Sequence, residues 1–176
     1  MSARLVCVTG GTGFVGAHSV GAILRAGHRV RLLVRDPSAV DSALGPLGIV
    51  PGDVDVVVGD VLDEVVVART VRGADAVLHA ASVYSFVPGA RAELRRTNET
   101  GTEVVLAAAR SAGVERTVHV SSVAALFPSR REPLHAGSPV GHAREPYLAS
   151  KAAAERVARR HQAPATVPGQ HVIVPL

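Results

Sequence analysis

Two residue types that are scarce in this chain stand one helical turn apart near residue 150. Lys151 is the only lysine among 19 lysine and arginine residues, and Tyr147 is one of two tyrosines. The segment "EPYLASKAAAERVARRHQ" predicts a helix, so the two side chains share one face, about 6 Å apart along the axis. A phenol has a pKa of about 10, which a nearby ammonium lowers. The pair predicts a tyrosine that transfers protons, with the lysine as its tuning group.

A pair of serines supplies a partner for that tyrosine. Ser121 and Ser122 end the predicted fifth strand, in "HVSSVAALF". If the strand belongs to a parallel sheet, its end lies at the edge where ligands bind. A serine hydroxyl at that edge can hydrogen-bond both a substrate carbonyl and the tyrosine.

A glycine-rich segment, "VTGGTGFVG", joins the first predicted strand to the first predicted helix. Gly11, Gly13 and Gly16 satisfy G-x-G-x-x-G, and Gly10, Gly13 and Gly16 satisfy T-G-x-x-G-x-x-G. Glycine permits a tight turn and the close approach of a pyrophosphate, which the helix N-terminus attracts. We therefore expect a dinucleotide here. The candidates for binding it are Gly10, Thr12, Gly13, Phe14, Val15 and Gly16.

The end of the second predicted strand bears on which dinucleotide binds. A carboxylate there suits the ribose 2′-hydroxyl of NAD, and a cation suits the 2′-phosphate of NADP. The sequence places Arg35 directly after the strand, where a guanidinium can hold a phosphate with two hydrogen bonds. Asp36 follows and keeps NAD as an alternative, although an aspartate before Pro37 can also simply begin a turn. The sequence favours NADP.

Short apolar runs alternate with helical patterns along the whole chain. Runs ending in glycine or a polar residue predict five strands, and "HVIVPL" at residues 171–176 predicts a sixth. Strands that alternate with helices indicate parallel pairing and an α/β doubly wound sheet of the Rossmann type. We expect a single dinucleotide-binding domain over residues 1–176, with an atypical tail from about residue 163. The Pro- and Gly-rich stretch 127–146 predicts a loop near the ligand-binding edge.

Composition excludes several classes of protein. Hydrophobic residues make up 47% and charged residues 19% of the 176, so the chain can bury a core and is not disordered. Cys7 is the only cysteine and lies in an apolar run, which predicts a small core residue and no disulfide. No apolar run approaches a membrane span, and no signal peptide is evident, so we expect a cytoplasmic location and no membrane partner. The isoelectric point is about 10.2, but the arginines are scattered and aromatic residues are few, which argues against a nucleic-acid partner.

Taken together, the motifs resemble the short-chain dehydrogenase/reductase superfamily, in its extended, epimerase/dehydratase-like branch. The matching pieces are "TGGTGFVG", "GDVLD", "HAAS", "TNETGT", "SSVAA" and "YLASK", in the order and at the spacings of that family. The resemblance covers residue 5 to about 162. It implies that Ser122, rather than Ser121, is the catalytic serine. The remaining residues that it implies are Asp60 and Val61 at the adenine, Ala80 and Ala81 along the cofactor, and Asn98 as a catalytic asparagine, for which burial in helix packing is an equal alternative.

The resemblance also implies a reaction. Hydride would pass between the nicotinamide and a carbon that bears an alcohol or a carbonyl. Tyr147 would move the proton, Lys151 would tune it and hold the ribose, and Ser122 would orient the oxygen. The resemblance also implies that Tyr147 and Lys151 both contact the cofactor. A sugar epimerase or dehydratase is a related outcome, and the segments "VRDP" and 82–102 favour the ketone-reducing members. No metal site is expected.

The resemblance weakens after residue 162, where the family continues into a substrate-binding lobe. Two hypotheses therefore stand for a chain expected to be truncated at its C-terminal side. In the first it is an NADP-dependent oxidoreductase whose activity is impaired, with a homo-oligomer as one way to cover its site. In the second it is a non-catalytic NADP-binding fragment or regulatory module.

Overall fold

The computed structural model of the protein describes residues 2–87, 89–128, 133–162 and 170–174. Six strands form one sheet. They are β1 (Leu5–Thr9), β2 (Arg29–Val34), β3 (Val54–Val58), β4 (Ala76–His79), β5 (Arg116–His119) and β6 (His171–Ile173). The sixth strand is confirmed over residues 171–173 of the predicted 171–176; residues 163–169 and 175–176 lie outside the described residues. Apolar and β-branched residues dominate the strands, as burial on both faces of a sheet requires.

All neighbouring strands run parallel, in the order β3-β2-β1-β4-β5-β6. The chain moves outward from β1 in one direction through β2 and β3, then returns to the other side of β1 for β4, β5 and β6. The reversal leaves a crevice at the carboxyl ends of β1 and β4, where ligands bind in such sheets. The predicted α/β doubly wound fold is confirmed.

The described residues also form six α-helices. They are α1 (Phe14–Arg25), α2 (Ala39–Leu44), α3 (Glu64–Val71), α4 (Arg91–Leu94), α5 (Gly101–Ser111) and α6 (Pro146–Gln162). Neighbouring residues of β1 show the two layers: Val8 joins a buried cluster with α1 and α2, whereas Cys7 joins one with α3 and α5. Successive strand residues point to opposite faces, so β1 is covered on both. Cys7 is fully buried, as predicted.

Three glycines follow the ends of helices, a position that the sequence favours for a helix stop. Gly27, Gly73 and Gly113 have φ values of +79°, +69° and +73°, a left-handed region that glycine enters without a steric cost. The short helix α2 was not predicted from the sequence. Its six residues carry too little periodicity to separate it from the turn around it.

The segment "ARAELRRTNETGTEVVLAAARSAG", residues 90–113, has the pattern of one long helix, and its helical stretch changes type in the middle. Between α4 and α5 the backbone forms a π segment, Arg95–Thr100, so the helical stretch is continuous but locally widened. Such segments occur often at functional sites, and this one contains the buried Asn98.

Within the described ranges, the structure contains no helix whose length and apolarity would let it span a membrane.

Candidate functional site

The glycine turn between β1 and α1 is packed too tightly for side chains at two positions. Gly10 has φ +72°, and a Cβ atom there would lie 2.4 Å from the Ala81 nitrogen. A Cβ atom at Gly16 would lie 2.0 Å from the Gly10 oxygen. These glycines therefore allow the turn to fold back on itself and on the strand end after β4.

Gly13 is different, because none of the described residues would crowd a Cβ atom there. The nearest atom to a Cβ at this position would be the Gly10 oxygen, at an ordinary 3.4 Å. Gly13 is the N-cap of α1 and has no side chain that could make a capping hydrogen bond. Phe14 and Val15, in the first turn, are exposed. The open helix N-terminus and the bare Gly13 suit a pyrophosphate, which needs free amides and close backbone approach.

A cleft of about 240 Å³ opens above this turn, at the crevice between β1 and β4. Its walls include most of the predicted cofactor residues: Gly10, Thr12, Gly13, Arg35, Asp60, Val61, Ala80 and Ala81. The remaining predicted cofactor residues do not line it: Phe14, Val15, Gly16, Tyr147 and Lys151. The sequence reasoning missed part of the wall, namely Leu33, Val34, Gly59, Ser82, Val83 and Thr97. Most of these residues are next in the sequence to a predicted residue at a strand end, so their position in the sequence could have identified them.

Asp36 and Arg35, at the end of β2, play different parts. Asp36 Oδ1 accepts hydrogen bonds from the Ser38 nitrogen at 2.9 Å and the Ser38 hydroxyl at 2.6 Å. These bonds hold the pKa of the Asp36 carboxyl below its usual value. Asp36 thus begins a turn, which was one of the two sequence interpretations. Arg35 is exposed and lines the cleft.

Tyr147 stands in the first turn of α6, which Glu145 caps. The Glu145 carboxylate accepts from the Tyr147 nitrogen at 3.0 Å and from the Leu148 nitrogen at 2.8 Å. The tyrosine side chain hydrogen-bonds to Ser122. The geometry thus joins two of the predicted catalytic residues from different elements.

The pKa of Tyr147 departs from the sequence-based expectation. Partial burial raises it above 10, the Ser122 hydrogen bond opposes the rise, and Tyr84 and Glu145 add to it. The expected lowering by Lys151 is wrong for the protein without cofactor. The physical reason is that the phenol has lost water, which disfavours its charged form, while the lysine ammonium is directed elsewhere.

Lys151 lies deeper than its partner, with only 5% of its surface exposed. Its Nζ donates to the Val120 carbonyl at 3.4 Å. Burial lowers the pKa of the ammonium, and the charge of Glu155 raises it. The lysine is therefore a positioned cation within the sheet edge and not a surface residue.

The two serines after β5 have separate partners. Ser121 Oγ donates to the buried Glu155 carboxylate. Ser122 begins the 3₁₀ turn Val123–Leu126 and accepts from the Ala124 nitrogen at 3.2 Å, while also bonding Tyr147. The structure therefore agrees with the choice of Ser122 as the serine beside the tyrosine.

Glu155 is the residue of this region that sequence reasoning missed. It is 1% exposed, and its second oxygen accepts from Arg159 Nε at 2.7 Å. The signal was available, because Tyr147, Lys151 and Glu155 follow one another at four-residue steps on one helix face. A buried acid on that face implies a cation and a donor nearby.

Two histidines lie stacked beneath the site, at the ends of β4 and β5. The ring centroids of His79 and His119 are 5.3 Å apart. Thr102 donates its one hydroxyl proton to the Asn98 carbonyl at 2.6 Å, so His79 Nε2 must donate to Thr102. His79 Nδ1 then accepts from the Thr9 hydroxyl at 2.7 Å. His79 thus ties β1, β4 and α5 together, and the sequence reasoning gave it no role of its own.

His119 has no such anchor. Among the described residues, neither of its ring nitrogens has a hydrogen-bond partner. Burial lowers its pKa to about 3, with the Lys151 charge as the smaller cause. The imidazole is therefore neutral at ordinary pH.

The side chain of Asn98, in the π segment, forms hydrogen bonds that hold other parts of the protein together. Its Oδ1 accepts from the Val83 nitrogen at 2.7 Å and the Ser82 hydroxyl at 3.1 Å. Its Nδ2 donates to the Val83 carbonyl at 2.9 Å and the Ser150 hydroxyl at 3.0 Å. In this geometry the asparagine clamps the strand end after β4 to α6, which is the packing alternative raised by the sequence.

Comparison with known proteins gives consistent matches. The model of the NAD dependent epimerase/dehydratase family matches residues 6–173. The chain is similar to a putative dihydroflavonol 4-reductase from Synechocystis sp., 42% identical over 109 residues, which are 62% of this chain and 30% of that protein. It is also similar to a 3 beta-hydroxysteroid dehydrogenase/Delta 5-->4-isomerase from Mycobacterium tuberculosis, 38% identical over 117 residues, covering 63% of this chain and 30% of that protein.

A solved structure extends the similarity to nearly the whole chain. The dTDP-glucose 4,6-dehydratase DesIV from Streptomyces venezuelae, with NAD bound, is 31% identical with a TM-score of 0.79. The match covers 97% of this chain and 54% of DesIV. The chain therefore spans about half the length of this structure, and its matches cover a smaller share of the two curated relatives.

Proposed function

This chain belongs to the NAD dependent epimerase/dehydratase family, and from that premise we propose that it transfers hydride between a nicotinamide dinucleotide and a carbonyl or alcohol carbon of a small molecule. The observation that carries the proposal is the meeting of Ser122, Tyr147 and Lys151. They come from the end of β5 and from α6, and they meet at the sheet edge that also holds the cofactor cleft.

The cofactor half of the reaction follows from the cleft. When bound there, the nicotinamide supplies the hydride chemistry. The amides at the N-terminus of α1 would hold the pyrophosphate, and Asp60 and Val61 would hold the adenine. Ala80 and Ala81 would line the cofactor, and Lys151 would hold the ribose hydroxyls.

The protein half of the reaction needs a proton at the substrate oxygen. Burial keeps the Tyr147 phenol protonated at neutral pH, which suits it to donate to a carbonyl oxygen during reduction. Ser122 orients that oxygen through the hydroxyl that also bonds the tyrosine. Hydride adds to the carbonyl carbon while the phenol proton goes to the oxygen, so the product is an alcohol.

NADP is the dinucleotide that we propose. Arg35 lines the cleft, and Asp36 is engaged in its turn with Ser38. The exposed Arg35 guanidinium can bind a 2′-phosphate. The Asp36 carboxylate already accepts two hydrogen bonds from Ser38, so it is less available to a ribose 2′-hydroxyl. NAD is the alternative, and DesIV carries it.

Carbonyl reduction is favoured over epimerisation by the matched relatives. Those named as a dihydroflavonol reductase and a hydroxysteroid dehydrogenase match at 42% and 38% identity, against 31% for the dehydratase structure. Because Ser122, Tyr147 and Lys151 are all present, an enzyme is favoured over a non-catalytic module.

The test is a comparison of wild type with Lys151→Arg. Oxidation of NADPH should be followed with a panel of ketones, aldehydes and nucleotide sugars, and NADP affinity measured by calorimetry. We expect carbonyl reduction in the wild type and a loss of both turnover and NADP affinity in the variant. The planar guanidinium of arginine places its charge and its donors differently from an ammonium, so the contact with the ribose is lost. Cofactor binding with no hydride transfer to any substrate would contradict the proposal.

A further inference from the structure

The outer edge of the sheet, at β3, carries backbone groups that face away from the other strands. β3 pairs with β2 alone, and no other described strand lies beyond it. The Gly59 nitrogen, directly after β3, donates to the Val34 carbonyl of β2 at 2.8 Å. Backbone groups alternate in direction along a strand, so the N–H and C=O groups of Val56 and Val58 point outward. Such groups are a template for pairing with another strand.

The side chains of β3 give this edge two different faces. Val54 belongs to the buried cluster with α1 and α2, and Val56 and Val58 follow it on the same face at two-residue steps. These two valines are 39% and 53% exposed, so this face is apolar and uncovered at the edge. Asp55 and Val57 lie on the face of α3. The strand "VDVVV" contains neither proline nor lysine, which commonly protect an exposed edge.

An open groove of about 540 Å³ lies between this edge and α3. Its walls are residues 56–58 of β3 and three arginines. Arg31 comes from β2, and Arg69 and Arg72 come from the C-terminal end of α3. We call this feature, with its three arginines and residues 56–58, the arginine groove.

Two of the three arginines have their charge available to a ligand. Arg69 and Arg72 are exposed, and neither forms an ion pair with a described acid. Arg31 is engaged, because its Nη1 donates to two carbonyls at the end of α3, at 2.9 and 3.0 Å. Asp55, the acid of β3, is paired with Arg29 at 3.7 Å. The groove therefore presents positive charge beside an unpaired strand edge.

An extended peptide that pairs with β3 would match both features. Its backbone would complete the outward hydrogen bonds of Val56 and Val58. Because side chains alternate between the faces of a strand, every second residue of the peptide would lie on the side of Arg69 and Arg72. The residues between them would lie beside the exposed valines. Acidic residues complement the first set and apolar residues complement the second.

A second copy of this chain matches the edge less well. If two β3 strands paired about a twofold axis, both α3 helices would lie on the same face of the joined sheet. Arg69 and Arg72 of one copy would then face the same arginines of the other. Like charges placed opposite each other oppose association. The charge of the groove thus favours an acidic partner over self-association.

We propose that the β3 edge binds an extended acidic segment of another protein, which adds to the sheet as a further parallel or antiparallel strand with acidic and apolar residues in alternation. Main-chain hydrogen bonds provide affinity in such additions, and alternate side chains provide specificity. None of the described residues that line the arginine groove lines the cofactor cleft. The groove can therefore be tested without cofactor or turnover.

The first experiment compares three short synthetic peptides with capped ends and a fluorescent label, titrated by anisotropy. They are EVEVEVE, the composition-matched EEEEVVV, which lacks the alternation, and KVKVKVK, which reverses the charge. We expect EVEVEVE to bind about tenfold tighter than EEEEVVV and KVKVKVK to show no binding. Equal affinities for the two acidic peptides would reduce the interaction to general charge attraction and overturn the proposal.

The second experiment locates the charge. The double variant Arg69→Glu/Arg72→Glu should lose the binding of EVEVEVE and gain the binding of KVKVKVK. Arg25→Glu/Arg96→Glu changes two exposed arginines elsewhere and reaches the same net charge, so it should keep the wild-type preference. Circular dichroism first confirms that both variants are folded. An equal loss in the two variants would assign the attraction to the net charge of +4 and contradict a site at β3.

The third experiment uses the wild type and asks whether the peptide adds as a strand. Amide hydrogen exchange is followed by NMR with and without saturating EVEVEVE. The outward amides of Val56 and Val58 should exchange about tenfold more slowly with the peptide. The amide of Val57 points toward β2 and is the internal control, with little change expected. Binding that leaves Val56 and Val58 unprotected would overturn strand addition, whatever the variants show.

Discussion

The cofactor region and the reaction region of this protein are built from different materials. The cofactor region consists of a glycine turn, a helix N-terminus and strand ends, so its binding groups are mainly backbone atoms facing an open cleft. The reaction region is built from side chains, two of which, Lys151 and Glu155, are almost fully buried. Ser121 and Arg159 donate to Glu155, and Lys151 donates to the Val120 carbonyl.

This difference separates affinity from stability. Changing an exposed group around the cleft should alter the binding of the dinucleotide and leave the fold intact, because little depends on that group in the free protein. Changing a buried charge in the reaction region should cost folding free energy as well as rate, since its partners are left unpaired in a medium that solvates them poorly.

The largest effect should come from removing the buried acid. Glu155→Ala leaves Lys151 without its neighbouring charge and Arg159 without its 2.7 Å acceptor. We expect a loss of about 3–5 kcal/mol in the free energy of unfolding, measured by denaturant titration. Glu99→Ala removes an exposed acid paired with Arg95 and is the matched control, with an expected change within about 0.5 kcal/mol. Equal losses in the two variants would remove the distinction between the regions.

The proposed acid–base residue gives the next effect. Tyr147→Phe keeps the ring and removes the proton, so carbonyl reduction should fall about a hundredfold or more, or about 2.7 kcal/mol in the barrier. NADP affinity should be nearly unchanged, because the phenol is not part of the cleft wall. Steady-state rates and calorimetry on the same preparation check both statements. Full activity in the variant would show that another group donates the proton.

The cofactor region is probed by Arg35→Ala. Losing a charged contact to the 2′-phosphate should weaken NADP binding by about 1.5–3 kcal/mol and leave NAD binding and unfolding unchanged. Arg29, exposed at the opposite end of the same strand, supplies the control Arg29→Ala, for which both affinities should equal those of the wild type. Tighter binding of NAD than NADP by the wild type would contradict the preference.

The effect that is smallest at neutral pH is a pH dependence of stability in the reaction region. His119 has a pKa of about 3 in the folded protein, against an ordinary 6.5. The unfolded chain therefore binds an extra proton between these values, so stability present above pH 6.5 is lost as the pH falls toward 3. His119→Phe should reduce the slope of unfolding free energy in that window by up to about 1.4 kcal/mol per pH unit.

Two other histidines are needed to interpret that measurement. His79 is stacked on it, and burial also lowers the pKa of His79, so a residual slope should remain in His119→Phe. The exposed loop residue His142 gives the comparison variant His142→Phe, which should keep the wild-type slope. A His119→Phe slope identical to that of wild type would mean that His119 is hydrated in solution.

The regions also differ in how far the sequence predicted them. The glycine spacing "TGGTGFVG" located the cleft, and Asp60, Val61, Ala80 and Ala81 all line it. The resemblance to the family supplied these four positions, and each lies one to three residues beyond the end of β3 or β4, so the sheet topology brings them to the cleft. The structure places Ser122, and not Ser121, beside Tyr147, but the pKa of Tyr147 is raised and not lowered, because burial is its largest cause and the Lys151 ammonium is directed elsewhere.

What the sequence determined by itself is the order of the elements, the turn that can receive a pyrophosphate, and the shared helix face of Tyr147 and Lys151. These depend on contacts between residues close in the chain, where periodicity and glycine conformations are decisive. Only the tertiary structure decided the burial of Glu155, the isolation of His119, the clamp made by Asn98 and the clustering of Tyr84 with Tyr147. Each of these joins residues far apart in the chain, and their solvation and partners exist only once the sheet and its helices have packed.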